Sequence, residues 1–128
     1  MKLRLLLLAN ALATFLAGVV LFAAPGFIPA VVGIELEARA NFLCYLLGAS
    51  EFGFAALCFG ASRATQPEAT AVVAWACIVF HAASGIAGLL AFFQGLGAPV
   101  LWNVALRVAM ILLFVRYGLN RPAHLERI

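Results

Sequence analysis

Charge is the scarcest property of this chain. Lys, Arg, Asp and Glu together make up 10% of its 128 residues, and hydrophobic residues make up 66%. An average soluble domain carries about 25% charged and roughly 45–50% apolar residues. A chain this apolar cannot cover itself with polar surface, so it must be solvated largely by lipid. A water-soluble enzyme, a disordered tail and a nucleic-acid binder are excluded on that ground. The net charge of +3 at pH 7 does not restore a nucleic-acid reading. The basic residues sit mostly at segment ends, which is the pattern of membrane topology.

A close cysteine pair is also missing. Cys44, Cys58 and Cys77 lie inside apolar stretches, and none belongs to a CxxC motif. An odd count makes no disulfide framework. They read as small buried hydrophobes, and thiol-oxidising chemistry is not expected. Strand-length pieces with alternating polarity are absent, which excludes a membrane β-barrel. No internal repeat is visible, and the length suits one domain.

What is present is a set of four apolar segments, each near the 20 residues needed to cross a bilayer. They run over about 3–24, 41–62, 69–93 and 99–118. The expectation is an all-α protein, an antiparallel four-helix transmembrane bundle that forms one integral membrane domain over 1–128. Lys2 and Arg4 followed by an apolar run to Phe22 resemble a signal peptide. At about 18 residues the run exceeds the usual h-region, so it reads as a retained first helix.

Lys2, Arg4, Arg63, Arg116, Arg121 and Arg127 fall on the side of the N-terminus, and Arg39 falls on the other. The positive-inside rule then places both termini in the cytoplasm of a bacterial inner membrane. Tyr45 and Trp102 come near the outer interface, with Trp75 and Tyr117 near the inner one, as in aromatic belts. Residues 25–40 form a periplasmic loop. Its segment Ile28–Ile34 is too apolar for a free loop, and is expected in the outer interface or folded over the bundle mouth. The short glycine-bearing turn from Gln94 to Ala98 makes the third and fourth helices antiparallel neighbours. The tail after Tyr117 is polar and basic, and Pro122 interrupts it.

The chemistry-bearing residues lie inside the spans. At 1.5 Å per residue, Thr14, Glu51, His81 and Arg107 each fall roughly 15–17 Å from the cytoplasmic end of their own helix. Asn10 falls just below that level, and Ser84 and Asn103 one turn above. Each belongs to a small or polar stripe at three-and-four spacing, so the stripes are expected to face one another. A lone Arg or Glu at a helix centre costs about 2.5–3.5 kcal/mol on insertion scales. Pairing Glu51 with Arg107 removes most of that cost, and protonating Glu51 is a second way to remove it. Interhelical glue is the plain alternative for all of these residues.

The centre made by Glu51, His81, Arg107, Thr14, Ser84 and Asn103 supports three functional readings. It can bind the polar head of a lipophilic molecule such as a quinone. It can relay protons in a small transporter. His81 can also serve as an axial ligand to a tetrapyrrole metal, but a single in-membrane His and the nearby Arg107 fit that poorly. No catalytic residue and no other metal ligand stands out. On another side of the second helix, Ala49, Gly53, Ala56 and Gly60 form a row of small residues. It fits close helix packing, either within the chain or against a further subunit or second copy.

Phe22-Ala23-Ala24-Pro25, Gly33 and Leu47-Gly48-Ala49-Ser50-Glu51-Phe52-Gly53 resemble the corresponding parts of small bacterial four-helix membrane proteins of the DoxX-like group. A Gly-x-x-Glu element of that group corresponds here to Gly48 and Glu51. Some members are associated with quinone-linked sulfur oxidation or redox complexes. The resemblance transfers no catalytic role. The expected function is therefore a non-catalytic inner-membrane protein, either an accessory subunit of a membrane complex or a binder of a lipophilic ligand. The alternative is a small proton-coupled transporter or quinone-reactive redox protein.

Overall fold

A computed structural model describes residues 3–119. Lys2, Arg121, Pro122 and Arg127 lie outside the described residues, and so do the readings placed on them. The elements are α1 (Leu3–Ala23), a short helix α2 (Phe27–Val31), a 3-10 turn (Ala38–Ala40), α3 (Asn41–Arg63), α4 (Pro67–Phe93), α5 (Pro99–Phe114) and a π-helical turn (Val115–Leu119). Among the described residues there is no strand, and four helices are long and apolar enough to cross a membrane.

Proline and glycine set the boundaries. Pro67 and Pro99 occupy the first turns of α4 and α5, where the missing N–H has no helical partner to lose. The third long helix therefore starts at Pro67, two residues before the sequence-based start. Gly33 (φ +83) ends α2 and Gly95 (φ +100) ends α4. At both sites the two backbone bonds of a Schellman cap form: Gly33 N–H to Ala30 with Ile34 N–H to Pro29, and Gly95 N–H to Phe92 with Leu96 N–H to Ala91. Both glycines hold the left-handed conformation that a side chain would strain. The last helix is α-helical only to Phe114, with the wider turn continuing to Leu119.

The helices associate as two pairs. α1 packs along α3, where Gly18 and Gly48 meet backbone to backbone. A Cβ on Gly18 would lie 3.1 Å from the Gly48 carbonyl, and one on Gly48 would lie 3.2 Å from the Gly18 carbonyl. Phe22 sits against Tyr45 and Phe52, and Phe15 against Phe52. α4 packs along α5, with Gly88 against Val104 and Gly85 against Arg107.

The two pairs join through one end of the molecule. Leu3, Leu6, Leu7 and Ala11 of α1 cluster there with Cys58 and Ala61 of α3, Ala74 and Cys77 of α4, and Phe114 of α5. Phe54 of α3 stacks near Phe80 of α4. Among the described residues, no side-chain hydrogen bond or ring contact joins the pairs beyond the level of His81 and Arg107. Ile86, Leu89 and Leu106 above it are exposed. The loop after α1 folds back over the free end of the α1–α3 pair. Ile28, Pro29, Val32 and Ile34 cover Leu21, Cys44 and Leu47 around an apolar cavity of about 300 Å³.

Candidate functional site

The polar residues of the long helices converge, but around a different hub from the one expected. Asn10 of α1 stands at the centre. Its side-chain oxygen lies 3.1 Å from His81 Nε2 of α4, and its Nδ2 donates to Cys58 Sγ of α3 at 3.3 Å. His81 Nδ1 lies 3.1 Å from Arg107 Nη1 of α5, and Arg107 Nε donates to Asn103 Oδ1 at 3.3 Å. One chain of hydrogen bonds thus crosses all four long helices.

The direction of this chain follows from the donor inventory. A guanidinium only donates, so His81 Nδ1 accepts from Arg107. In the neutral ring the proton then sits on Nε2 and is donated to the Asn10 oxygen. That leaves the Asn10 amide group to donate to Cys58. Both ring nitrogens of His81 are engaged, so service as a tetrapyrrole ligand would require one of these bonds to break.

Thr14 does not share in the network. It is buried, and its hydroxyl donates to Asn10 O at 3.0 Å and Ala11 O at 3.2 Å within its own helix. The residue of α1 level with His81 is Asn10. The cause is an offset between helix ends. A Cβ on Gly118 would lie 2.8 Å from Ala74 Cβ and 3.6 Å from Leu3 Cδ1. Ala74 therefore lies near the start of α1, and α4 begins beyond it. Depths counted from each helix's own end are shifted by that amount.

Glu51 is buried at 7% exposure. Its carboxylate makes no hydrogen bond among the described residues. The expected direct pairing with Arg107 is replaced by Arg107 bonds to His81 and Asn103. Glu51 and Arg107 nevertheless remain close enough to interact through their charges. Arg107 also lies over the Phe80 ring, 5.1 Å from its centre, a cation–π arrangement. Ser84 is half-buried one turn above His81, and Asn103 is exposed.

Two features lay beyond the sequence reading. The first is a close pair of thiols: Cys58 Sγ and Cys77 Sγ lie 3.6 Å apart, with both side chains fully buried. Their separation of 19 residues across the α3–α4 turn carries no motif. The reading that no cysteines stand close together is corrected here. The second is an apolar groove of about 690 Å³ along the α1–α3 seam. Leu8, Leu12, Phe15, Phe52 and Phe59 wall it, and Ala11 and Ala55 form its floor. Ala55 lies one turn from Glu51 and from Cys58, so this floor separates the groove from the polar interior. The groove is lined by α1 and α3 alone.

The small-residue row of α3 is exposed at Ala49, Gly53, Ala56 and Gly60. A Cβ added at Gly53 or Gly60 would meet nothing within 4 Å. The chain itself makes no use of the close approach those glycines permit.

Comparison with protein-family models, with curated proteins and with solved structures gives no match.

Proposed function

We propose that this protein is an antiparallel four-helix transmembrane bundle of a bacterial inner membrane. Both termini face the cytoplasm, and the bundle binds a lipophilic ligand. The antiparallel arrangement is supported by the contact order. Phe22 with Tyr45, Gly18 with Gly48, Phe15 with Phe52 and Asn10 with Cys58 pair rising numbers on one helix with falling numbers on the other. Gly88 with Val104 and Ala74 with Gly118 do the same for α4 and α5. The orientation is supported by Arg4, Arg63 and Arg116 at one end.

One observation carries the ligand reading: the groove of about 690 Å³ is floored by two alanines, Ala11 and Ala55, and the unbonded carboxylate of Glu51 lies one turn from that floor. An apolar body fits the groove, and on binding the Ala11–Ala55 floor must part for a polar head to reach Glu51 behind it. Sites of this kind combine apolar walls with a few polar groups. His81 and Asn103 hold Arg107 in place, with Thr14 and Ser84 on the edges of the same centre.

The test compares molecules co-purified with wild type, Ala55→Phe and Glu51→Leu, extracted into organic solvent and identified by mass spectrometry. Both variants should retain at least about tenfold less of one quinone, pigment or lipid than wild type, equivalent to about 1.4 kcal/mol. Equal retention in all three rejects the site.

The open row at Gly53 and Gly60 favours a second reading, an accessory subunit that docks another membrane helix there. Native mass spectrometry of gently extracted protein, with Gly53→Leu beside wild type, tests it. A partner or second copy lost in the variant supports docking, and a bare monomer in both counts against it.

A further inference from the structure

We propose that Cys58 and Cys77 form a two-electron redox couple, closing to a disulfide within the membrane and passing their electrons to a quinone. Only the class of oxidant rests on the ligand reading above; the couple itself rests on the geometry of the pair.

The sulfurs lie 3.6 Å apart on adjacent helices. A disulfide bond needs about 2.05 Å, so the two must close by roughly 1.5 Å. Cys58 is the more elaborated of the two. Asn10 aims an amide N–H at its sulfur from 3.3 Å, and Asn10 is itself oriented by His81. A cysteine serving only as a small hydrophobe needs no such donor. The N–H marks Cys58 as the sulfur whose negative charge is hydrogen-bonded during the exchange. Cys44 supplies an internal contrast. It is buried at the far end of α3, with Leu21, Leu47 and the loop around it, and among the described residues it makes no hydrogen bond to another sulfur.

Burial decides the class of partner. Both thiols are fully buried, out of reach of water-soluble thiols and protein dithiols, which must attack sulfur directly. One approach to the pair lies on the α1–α3 side. There Ala11 both floors the 690 Å³ groove and belongs to the apolar cluster that holds Cys58 and Cys77. An oxidant that arrives through lipid, lies flat among aromatic rings and accepts two electrons with two protons is a quinone. In the step, the two S–H bonds break and one S–S bond forms. The thiols are oxidised, and the quinone is reduced. Both protons and both electrons end on the quinone oxygens, giving a hydroquinone.

The experiment uses the full chain, purified in detergent, reduced, and freed of reductant without oxygen. A short-tailed benzoquinone is added, and the reaction is quenched in acid. The chain is then denatured and its free thiols are labelled with a maleimide for intact-mass analysis. The expected result is one labelled thiol of three, a cross-linked peptide joining residues 41–63 to 67–93, and one hydroquinone per chain. Cys44→Ser should still close the bond. Cys58→Ser and Cys77→Ser, each replaced by a side chain of nearly the same size, should form no cross-link and reduce no quinone. Three surviving thiols in wild type overturn the couple, as does a product containing Cys44. Ligand retention by Cys58→Ser separates this result from the ligand reading. A retained lipophilic molecule with three surviving thiols in wild type overturns the couple alone. Loss of two thiols in a chain that retains no such molecule supports the couple and counts against the ligand site.

Discussion

Arg107 and His81 hold one another across the α4–α5 pair, Nη1 to Nδ1 at 3.1 Å. The guanidinium has only donors, so the imidazole must present a lone pair to it. That choice fixes the proton on Nε2 and aims it at Asn10. A single arginine contact thereby sets the direction of every hydrogen bond from α5 to Cys58. The expected Glu51–Arg107 pair would have left His81 free to take either tautomer.

The coupling of Arg107 to His81 should be measurable in stability. Arg107→Leu leaves His81 Nδ1 without its donor, and His81→Phe leaves the arginine without its acceptor. The loss in the double variant should be smaller than the sum of the single losses by about 0.5–3 kcal/mol. Unfolding in mixed detergent reads it directly. Strict additivity would mean that the two residues meet without interacting.

Asn10 and Thr14 should behave in opposite ways, although both are buried polar residues of α1 one turn apart. Asn10→Leu strips a partner from His81 Nε2 and from Cys58, and should lower stability by about 1–3 kcal/mol. Thr14→Val removes a hydroxyl bonded only to its own helix, and should stay within about 0.5 kcal/mol of wild type. Thermal unfolding of the two variants in one detergent compares them. A larger loss at Thr14 would restore it as the α1 member of the centre.

The seam glycines and the outward glycines of α3 should also separate. A Cβ at Gly48 would stand 2.7 Å from the Phe22 ring as well as close to the Gly18 carbonyl, whereas one at Gly53 meets nothing. Gly48→Ala should therefore cost about 1–3 kcal/mol through overpacking. Gly53→Ala should be neutral or slightly stabilising, because alanine is the better helix former by about 1 kcal/mol. Detergent melting curves decide between them, and equal effects would place Gly48 outside the helix contact.

The C-terminus should lie in the cytoplasm. Reporter fusions after Tyr117 should be active only as cytosolic enzymes, and a fusion in the loop near Glu37 only as a periplasmic one. A C-terminal fusion with periplasmic activity would mean that one long helix does not cross.

The elements themselves were written in the local sequence. Long runs without charge, Pro67 and Pro99 at helix starts, and Gly33 and Gly95 at helix ends act within a few residues of chain, so their effects are readable in order along it. A polar stripe on each long helix was legible in the same way, from three-and-four spacing along the chain. Tertiary structure decided which of them meet. A regular rise gives depth only relative to a helix's own end, and α4 starts further out than α1. That offset puts His81 beside Asn10 instead of Thr14, and it brings Cys77 down to Cys58, whose counts from their own helix ends differ. The groove and the sulfur pair depend on the sideways approach of α1 to α3 and of α3 to α4. Close approach at Gly18 and Gly48 is permitted by small residues wherever they occur, but which glycines find a partner is set only when the helices pack.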